Sequence, residues 1–217
     1  TKYAQVERAL LGASAAVNLV GLLKGRMRAV HVEGARSIAQ ASAAAGLKAL
    51  VQVSAIGADP QSRATYGRTK GEGEAAVRAA FPTATIIRPS ILFGRDDQFT
   101  NRFARLIMAG AAVPLLRLVP VIRGAARFQP VHGGDAARAI AMAIVEPDVH
   151  GGETYELGGP DILSLAQINQ WIAGQIGRKP RFMAVPDGLA GVMASLTGWL
   201  PGAPITRDQF EMLRSDT

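Results

Sequence analysis

A tyrosine, a lysine and a serine are spaced so that their side chains can meet in one cleft. Tyr66 and Lys70 lie four residues apart, and residues at that spacing share one face of a helix. A nearby ammonium favours a phenolate, so we expect Lys70 to lower the pKa of Tyr66. Tyr66 can then exchange a proton with a substrate oxygen that Ser54 hydrogen-bonds, which is the chemistry of hydride transfer without a metal. The same Tyr-x-x-x-Lys spacing occurs on solvated helix faces, but the strand-like run that ends in Ser54 favours the functional interpretation.

Composition excludes several other kinds of site. The 217 residues are 48% hydrophobic, enough to bury a core as one domain with a small appended lobe. The absence of cysteine excludes disulfides and thiolate chemistry. His31, His132 and His150 are far apart in the sequence, so we expect no metal site. No run reaches the roughly 18 apolar residues of a membrane-spanning helix, and no signal peptide opens the chain.

The formal net charge of +7 does not by itself indicate nucleic-acid binding. The basic residues are scattered, and no sequence motif of a nucleic-acid-binding module appears. One concentration of six arginines and two aspartates runs from Arg95 to Arg127 among apolar residues. It suits a membrane surface, an acidic partner or an anionic ligand, and equally an ordinary buried helix with solvated arginines. The apolar tail from Pro186 to Pro201 favours the packed face of a small lobe over a membrane anchor.

Strand-like and helix-like segments alternate along the chain. This alternation predicts a Rossmann-like, doubly wound α/β fold with a parallel sheet. A capping box at Ser164 to Gln167 opens one of the helices. Strands are predicted at 15–21, 47–54, 83–89, 128–131 and 154–157, and helices at 31–45, 66–81, 98–110, 135–146 and 164–177.

The Gly-rich turn that holds a pyrophosphate in dinucleotide-binding sheets is not found in this sequence. We therefore expect the N-terminal phosphate-binding part of the fold to be missing from this chain. Residues 1–94 are predicted to form the C-terminal part of a Rossmann-type domain. Residues 95–217 are predicted to return partly to the sheet, over about 128–160, and to form a small α-rich substrate or partner lobe.

Four motifs in order resemble the extended and atypical short-chain dehydrogenase/reductase superfamily. They are Val17-Asn18-Leu19-Val20-Gly21, the strand ending in Ser54, the Tyr66 and Lys70 pair, and Arg88-Pro89-Ser90-Ile91-Leu92-Phe93-Gly94. Shorter motifs at 81–82, 88–90, 93–99 and 205–208 resemble one branch of it. That branch is the nucleotide-binding accessory subunit of respiratory complex I and its bacterial relatives, which are NAD-dependent epimerase/dehydratase-like.

The resemblance implies a role for each matched residue. Tyr66 would be the acid/base, Lys70 would hold the nicotinamide ribose, and Ser54 would orient the carbonyl or hydroxyl. The cofactor would be NADP or NAD, with NADPH slightly preferred. The implied cofactor-binding residues are Asn18, Val20, Gly21, Ser54, Tyr66, Lys70, Pro89, Ser90, Ile91 and Phe93.

The chain departs from the superfamily pattern besides lacking the Gly-rich turn. Gly133-Gly134-Asp135 replaces the usual Val-Asp pair. His31 and Glu33 occupy the helix where catalytic members often carry asparagine, and we expect His31 to be structural rather than catalytic.

Two functions follow from the resemblance. The first is an NAD(P)-binding accessory or assembly subunit of complex I, cytoplasmic or peripheral on the inner face of the respiratory membrane. The alternative is a free NAD(P)-dependent oxidoreductase or epimerase/dehydratase acting on a sugar-nucleotide, steroid-like or isoprenoid substrate.

Overall fold

The protein divides into two compact units. The computed structural model describes residues 3–111 and 118–186, together with 188, 208 and 211. The first unit contains Thr1–Ser90 and Gly134–Leu157, and the second contains Ile91–Gly133 and Gly158–Thr217. The sequence predicts a domain boundary at residue 94 and a return of the chain to the sheet over about 128–160. In the structure the first segment of the first unit ends at Ser90, and the chain returns to this unit over the shorter stretch 134–157.

The described helices and strands alternate over most of the chain. In chain order they are α1 (Tyr3–Leu10), β1 (Ala15–Asn18), a π-helical turn (Ala29–Gly34) continuing into α2 (Ala35–Ala44), β2 (Ala49–Val53), α3 (Thr65–Ala80), β3 (Thr85–Pro89), β4 (Leu92–Phe93), α4 (Thr100–Ala111), β5 (Leu118–Ile122), β6 (Arg127–Phe128), β7 (Val131–His132), α5 (Gly133–Val145), α6 (Pro147–His150), β8 (Thr154–Leu157), β9 (Leu163–Ser164), α7 (Leu165–Gln175) and β10 (Arg181–Val185).

The first unit is built on a four-stranded parallel sheet in the order β1-β2-β3-β8. Successive side chains of a strand point to opposite faces of a sheet. Leu50 and Ile86 accordingly pack with α2 and α3 in one buried cluster. Val51 and Ile87, the next residue of each strand, pack with α5 on the other face. Helices therefore cover both faces, and the predicted doubly wound α/β fold is confirmed.

Helix α3 approaches its neighbours closely because two glycines lie on its inner side. A Cβ atom at Gly73 would lie 2.1 Å from the carbonyl oxygen of His31 in the π-helical turn. A Cβ atom at Gly71 would lie 2.5 Å from the nitrogen of Pro60 in the loop after β2. Neither position accepts a larger residue without moving backbone, so these glycines set the position of α3, which carries Tyr66 and Lys70.

Some predicted boundaries differ from the structure. β1 ends at Asn18 rather than 21, so Val20 and Gly21 lie in the following loop. The helix predicted from His31 begins earlier, with the π-helical turn at Ala29. The strand predicted at 128–131 is two separate two-residue strands, β6 and β7, interrupted at Gln129 and Pro130. Proline cannot donate to a strand ladder, which accounts for this break.

The second unit has its own core, around Ile107, Phe128 and Ile172. Its described strands pair two by two: β5 with β10 and β4 with β7 in parallel, and β6 with β9 antiparallel. The predicted capping box at the start of α7 is confirmed by reciprocal hydrogen bonds between Ser164 and Gln167. Arg117, most of the apolar tail after Pro186 and most of the 205–208 motif lie outside the described residues. No helix in the described ranges is both long and apolar enough to cross a membrane.

Candidate active site

The structure brings the predicted tyrosine and lysine, both on α3, close to the carboxyl end of β2. The ammonium nitrogen of Lys70 lies 5.9 Å from the centre of the Tyr66 ring. The same Nζ donates a hydrogen bond of 3.1 Å to the carbonyl oxygen of Val53, the last residue of β2. Ser54 follows Val53 directly. Lys70 is only 5% exposed, so its charge is held inside the first unit.

Burial changes the acidity of both groups toward their neutral forms. It lowers the pKa of Lys70 from 10.5 to about 8, although the carboxylate of Glu74 partly opposes the change. It raises the pKa of Tyr66. The expectation that Lys70 would lower the pKa of Tyr66 is therefore wrong for this structure. The reason is that burial removes water from around the phenol and so penalises its charged form.

Ser54 has a buried hydroxyl with an unused hydrogen-bonding capacity. The residue is 4% exposed, and its Oγ has no hydrogen-bond partner within the described part of the chain. Its backbone N–H is satisfied by the carbonyl of Ile87 in β3, at 2.7 Å. An unpaired buried hydroxyl costs about 1–3 kcal/mol. Such a group suits a site that receives a hydroxyl or carbonyl oxygen from a ligand.

A chain of buried amides supports Lys70 from the side of β1. Asn18 donates through Nδ2 to Oε1 of Gln52 at 2.8 Å, and Gln52 donates through Nε2 to the Val53 carbonyl at 3.1 Å. That carbonyl therefore accepts from both Gln52 and Lys70. Oδ1 of Asn18 accepts the N–H of Val20 at 3.1 Å, which orders the start of the loop after β1. Asn18 was among the predicted site residues; Gln52 was not, because a single polar residue in a strand carries no signal of its partner.

A second group, which the sequence did not single out for the site, lies on the other side of Lys70. His31 accepts the backbone N–H of Leu22 through Nε2, at 2.9 Å. Its Nδ1 lies 2.8 Å from the hydroxyl of Thr69. The imidazole ring meets the Tyr66 ring edge to face, with centres 5.5 Å apart. Burial and the nearby Lys70 charge lower the pKa of His31 to about 4.

The remaining predicted cofactor residues fall into two groups. Gly21 faces the site, because a Cβ atom there would lie 3.4 Å from Nζ of Lys70. Pro89 and Ser90 lie at the end of β3, where the Pro89 carbonyl accepts the N–H of Ile56 and the Ser90 N–H donates to Leu157. The other group comprises residues of the second unit. Ile91 accepts the N–H of Val131, and the ring of Phe93 contacts that of His132.

The described residues contain no group of three His, Asp or Glu side chains that could hold a metal ion. The arrangement in the first unit consists of a phenol, an ammonium and a hydroxyl at the carboxyl end of a parallel sheet. In open α/β sheets this end is where ligands bind.

Comparison with known proteins places the chain in a family. The family described as RmlD substrate binding domain matches residues 13–187. The chain belongs to this family. The predicted resemblance to the atypical and extended short-chain dehydrogenases/reductases is thereby confirmed.

The RmlD-like chain has curated relatives with different names. It is 36% identical to the rat mitochondrial NADH dehydrogenase [ubiquinone] 1 alpha subcomplex subunit 9, over 85% of this chain and 48% of that protein. It is 32% identical to ceramide reductase of Caulobacter vibrioides, over 89% of this chain and 60% of that protein. The chain thus spans about half the length of the rat protein.

A solved structure supports the fold assignment of the RmlD-like chain. The dTDP-4-dehydrorhamnose reductase of Bacillus anthracis, in complex with NADP, superposes with a TM-score of 0.72 at 18% identity. The match covers 97% of this chain and 84% of the reductase. At this level of identity the likeness establishes the shared Rossmann-like fold.

Proposed function

We propose that the protein binds a nicotinamide dinucleotide and serves as an accessory or assembly subunit of respiratory complex I. The observation that carries the binding proposal is the buried lysine. Lys70 is held by Val53 beside the Tyr66 ring, with the unpaired Ser54 hydroxyl next to Val53. The relatives named as NADH dehydrogenase subunits support the assignment to complex I.

The residues present fit the nicotinamide–ribose part of a dinucleotide, whereas the Gly-rich turn that would hold its pyrophosphate is not found in this sequence. Lys70 would donate to ribose hydroxyls, and the absence of a side chain at Gly21 allows the loop backbone to lie close to Nζ. The Ser54 hydroxyl would hydrogen-bond an oxygen atom of the ligand, and Tyr66 would hold a proton at its phenol. When bound, the dinucleotide supplies hydride-transfer chemistry. Pro89 and Ser90 would border the site at the end of β3. Asn18 and Val20 would contribute by ordering the loop after β1.

Dinucleotide binding is tested by thermal unfolding with NADPH and, separately, NADH. A ligand at 100 times its Kd stabilises a protein by about 2.7 kcal/mol. For a protein of this size that corresponds to a rise in Tm of roughly 5–10 °C. Lys70→Met should abolish the rise, and Lys48→Met, which changes an exposed lysine of the same unit, should retain it. No rise with either dinucleotide would refute the binding proposal. The larger of the two responses would decide whether NADPH is preferred, as the family resemblance implies.

Docking on a respiratory membrane or an acidic partner is supported by helix α4. Leu106 and Met108 are 39% and 44% exposed, and Arg105 is exposed on the same helix. Exposed leucine and methionine beside an arginine suit a surface that is both apolar and anionic. This would make the protein peripheral on the inner face of the membrane.

The complex I proposal is tested by native-gel fractionation of gently solubilised membranes. Co-migration with complex I is expected, and migration only as a small free species would contradict it. Arg105→Glu should weaken sedimentation with membranes, whereas Arg138→Glu, a matched change on α5 of the other unit, should not. Equal sedimentation of both variants would exclude α4 as the docking surface.

A free oxidoreductase or epimerase/dehydratase is the second candidate, because a purely structural cofactor needs no Tyr66 phenol beside Lys70. The ceramide reductase relative supports this candidate. Its substrate would be a sugar-nucleotide, steroid-like or isoprenoid compound. If dinucleotide-dependent turnover is found, Tyr66→Phe should abolish it, and unchanged turnover would remove Tyr66 from the assigned acid/base role.

A further inference from the structure

We propose that His31 is a positioning residue of this site, which ties the loop after β1 to helix α3 and so holds Gly21 against Lys70. The role that this tie would play rests on the proposed dinucleotide binding. The geometry on which it is based is independent of that function.

The hydrogen bonds of His31 define a single protonation state. Thr69 donates its hydroxyl proton to the helix, with the carbonyl oxygens of Thr65 at 2.8 Å and of Tyr66 at 3.2 Å. Its oxygen must therefore accept from Nδ1 of His31. On the other side of the ring, the Leu22 N–H donates to Nε2, which must be unprotonated. Only the neutral imidazole with its proton on Nδ1 satisfies both contacts.

The ring position depends on more than these two hydrogen bonds. The carbonyl oxygen of His31 packs against Gly73, with no room for a Cβ atom between them. The backbone at residue 31 is thus held by α3 itself. A substitution of the side chain is expected to leave the π-helical turn in place and to break only the tie to the loop and to Thr69.

The loop that His31 holds lies directly beside the reactive groups. A Cβ atom at Gly21 would lie 3.9 Å from Nε2 of His31 and 3.4 Å from Nζ of Lys70. The loop backbone at 21–22 therefore borders the ammonium and the imidazole together. The titratable groups around Lys70 are Tyr66 and Glu74 on its own helix and His31 on the turn packed against it.

If the tie is lost, the loop moves away and water reaches the Lys70 ammonium. The lysine then titrates closer to its ordinary value, and a bound dinucleotide loses one wall of its site. If His31 only filled space in the core, His31→Phe would show neither effect, because a phenyl ring of similar size would fill the same space.

The test uses four variants in two matched pairs. His31→Phe keeps a ring beside Tyr66 but loses both hydrogen bonds, whereas the amide of His31→Gln can donate to Thr69 and accept from Leu22. Thr69→Val keeps the shape of the side chain and loses the acceptor, whereas Thr69→Ser keeps the hydroxyl. The first readout, without dinucleotide, is the ¹⁵N spectrum of the His31 ring and a ¹³C titration of the Lys70 ε-carbon. The second is the Kd for NADPH and NADH.

We expect wild-type His31 to be neutral with its proton on Nδ1 until about pH 4, and Lys70 to titrate near pH 8. His31→Phe and Thr69→Val should raise the Lys70 titration midpoint and weaken dinucleotide binding by roughly five- to tenfold, as expected for a lost hydrogen bond. His31→Gln and Thr69→Ser should restore both properties. A proton on Nε2, or a Lys70 midpoint unchanged by His31→Phe and Thr69→Val, would overturn the proposal. If the wild-type protein binds neither dinucleotide, the proposed function fails, while the two ligand-free spectra still decide the role of His31.

Discussion

Replacing Lys70 by methionine is expected to stabilise the folded protein while destroying its site. Burial lowers the pKa of Lys70 from 10.5 to about 8, and a tenfold change in a protonation equilibrium corresponds to about 1.4 kcal/mol. Keeping this lysine charged at pH 7 therefore costs about 3 kcal/mol of folding free energy. Methionine has a similar shape and no charge, but it loses the charge-assisted hydrogen bond to Val53, worth about 1.5–3 kcal/mol. The Val53 carbonyl remains paired with Gln52. A net gain of up to about 1.5 kcal/mol is expected at pH 7.

The pH dependence separates this cause from a general packing effect. Between pH 8 and 10.5 the unfolded chain still holds the lysine proton that the folded protein has released. The unfolded state then binds more protons, so wild-type stability rises with pH through this window. Lys70→Met lacks that rise, and its advantage should shrink as the pH increases from about 8 toward 10.5. Urea unfolding followed by circular dichroism measures both proteins, with Lys48→Met as an exposed control expected to change little. A less stable Lys70→Met at pH 7, or an advantage independent of pH, would refute the reasoning.

Three further predictions concern the packing and charge of the first unit. Gly73→Ala should lower the free energy of unfolding by about 1–3 kcal/mol, as in an overpacked core, because the new methyl group would clash with the His31 carbonyl. The control Gly174→Ala places a methyl group at an open helix position and should not lower it. Arg88→Met should cost about 3–5 kcal/mol in urea unfolding, because it leaves the buried Glu74 carboxylate without its bidentate partner; pairing it with Glu74→Leu should recover most of the loss. As pH falls from 6.5 to about 4, the unfolded state protonates His31 first, so wild-type stability should fall more steeply than that of His31→Phe; equal slopes in acid titrations would contradict the neutral buried ring.

The order of the fold could be predicted because its signals are local. Strands β2 and β3 each contain a short apolar run, Leu50-Val51 and Ile86-Ile87, as expected for strands covered on both faces. The capping box at Ser164 involves residues three apart, and its geometry depends on no distant contact. Such features can be read from short windows of sequence.

The supporting groups of the site could not be predicted, because they depend on contacts between distant segments. Gln52 pairs with Asn18 across 34 residues, and His31 with Thr69 across 38. The π-helical turn is likewise not encoded by spacing alone. The direction in which the pKa of Tyr66 moves was predicted wrongly for the same reason: the four-residue spacing indicated that an ammonium is near, but desolvation depends on everything packed around the phenol.

The electrostatics of Tyr66 and Lys70 bear on the choice between a binding subunit and an enzyme. Burial moves the phenol away from phenolate and the ammonium toward free amine, so neither group is displaced toward its charged form. A ligand oxygen that accepts a hydrogen bond from the Lys70 ammonium recovers part of this desolvation cost simply by binding. Proton transfer from substrate to Tyr66 needs the phenolate, which the same burial makes more costly. This electrostatic environment disfavours an enzyme in which Tyr66 abstracts a proton from the substrate, but it suits equally a dinucleotide-binding subunit and a reductase in which Tyr66 donates its proton to a carbonyl oxygen.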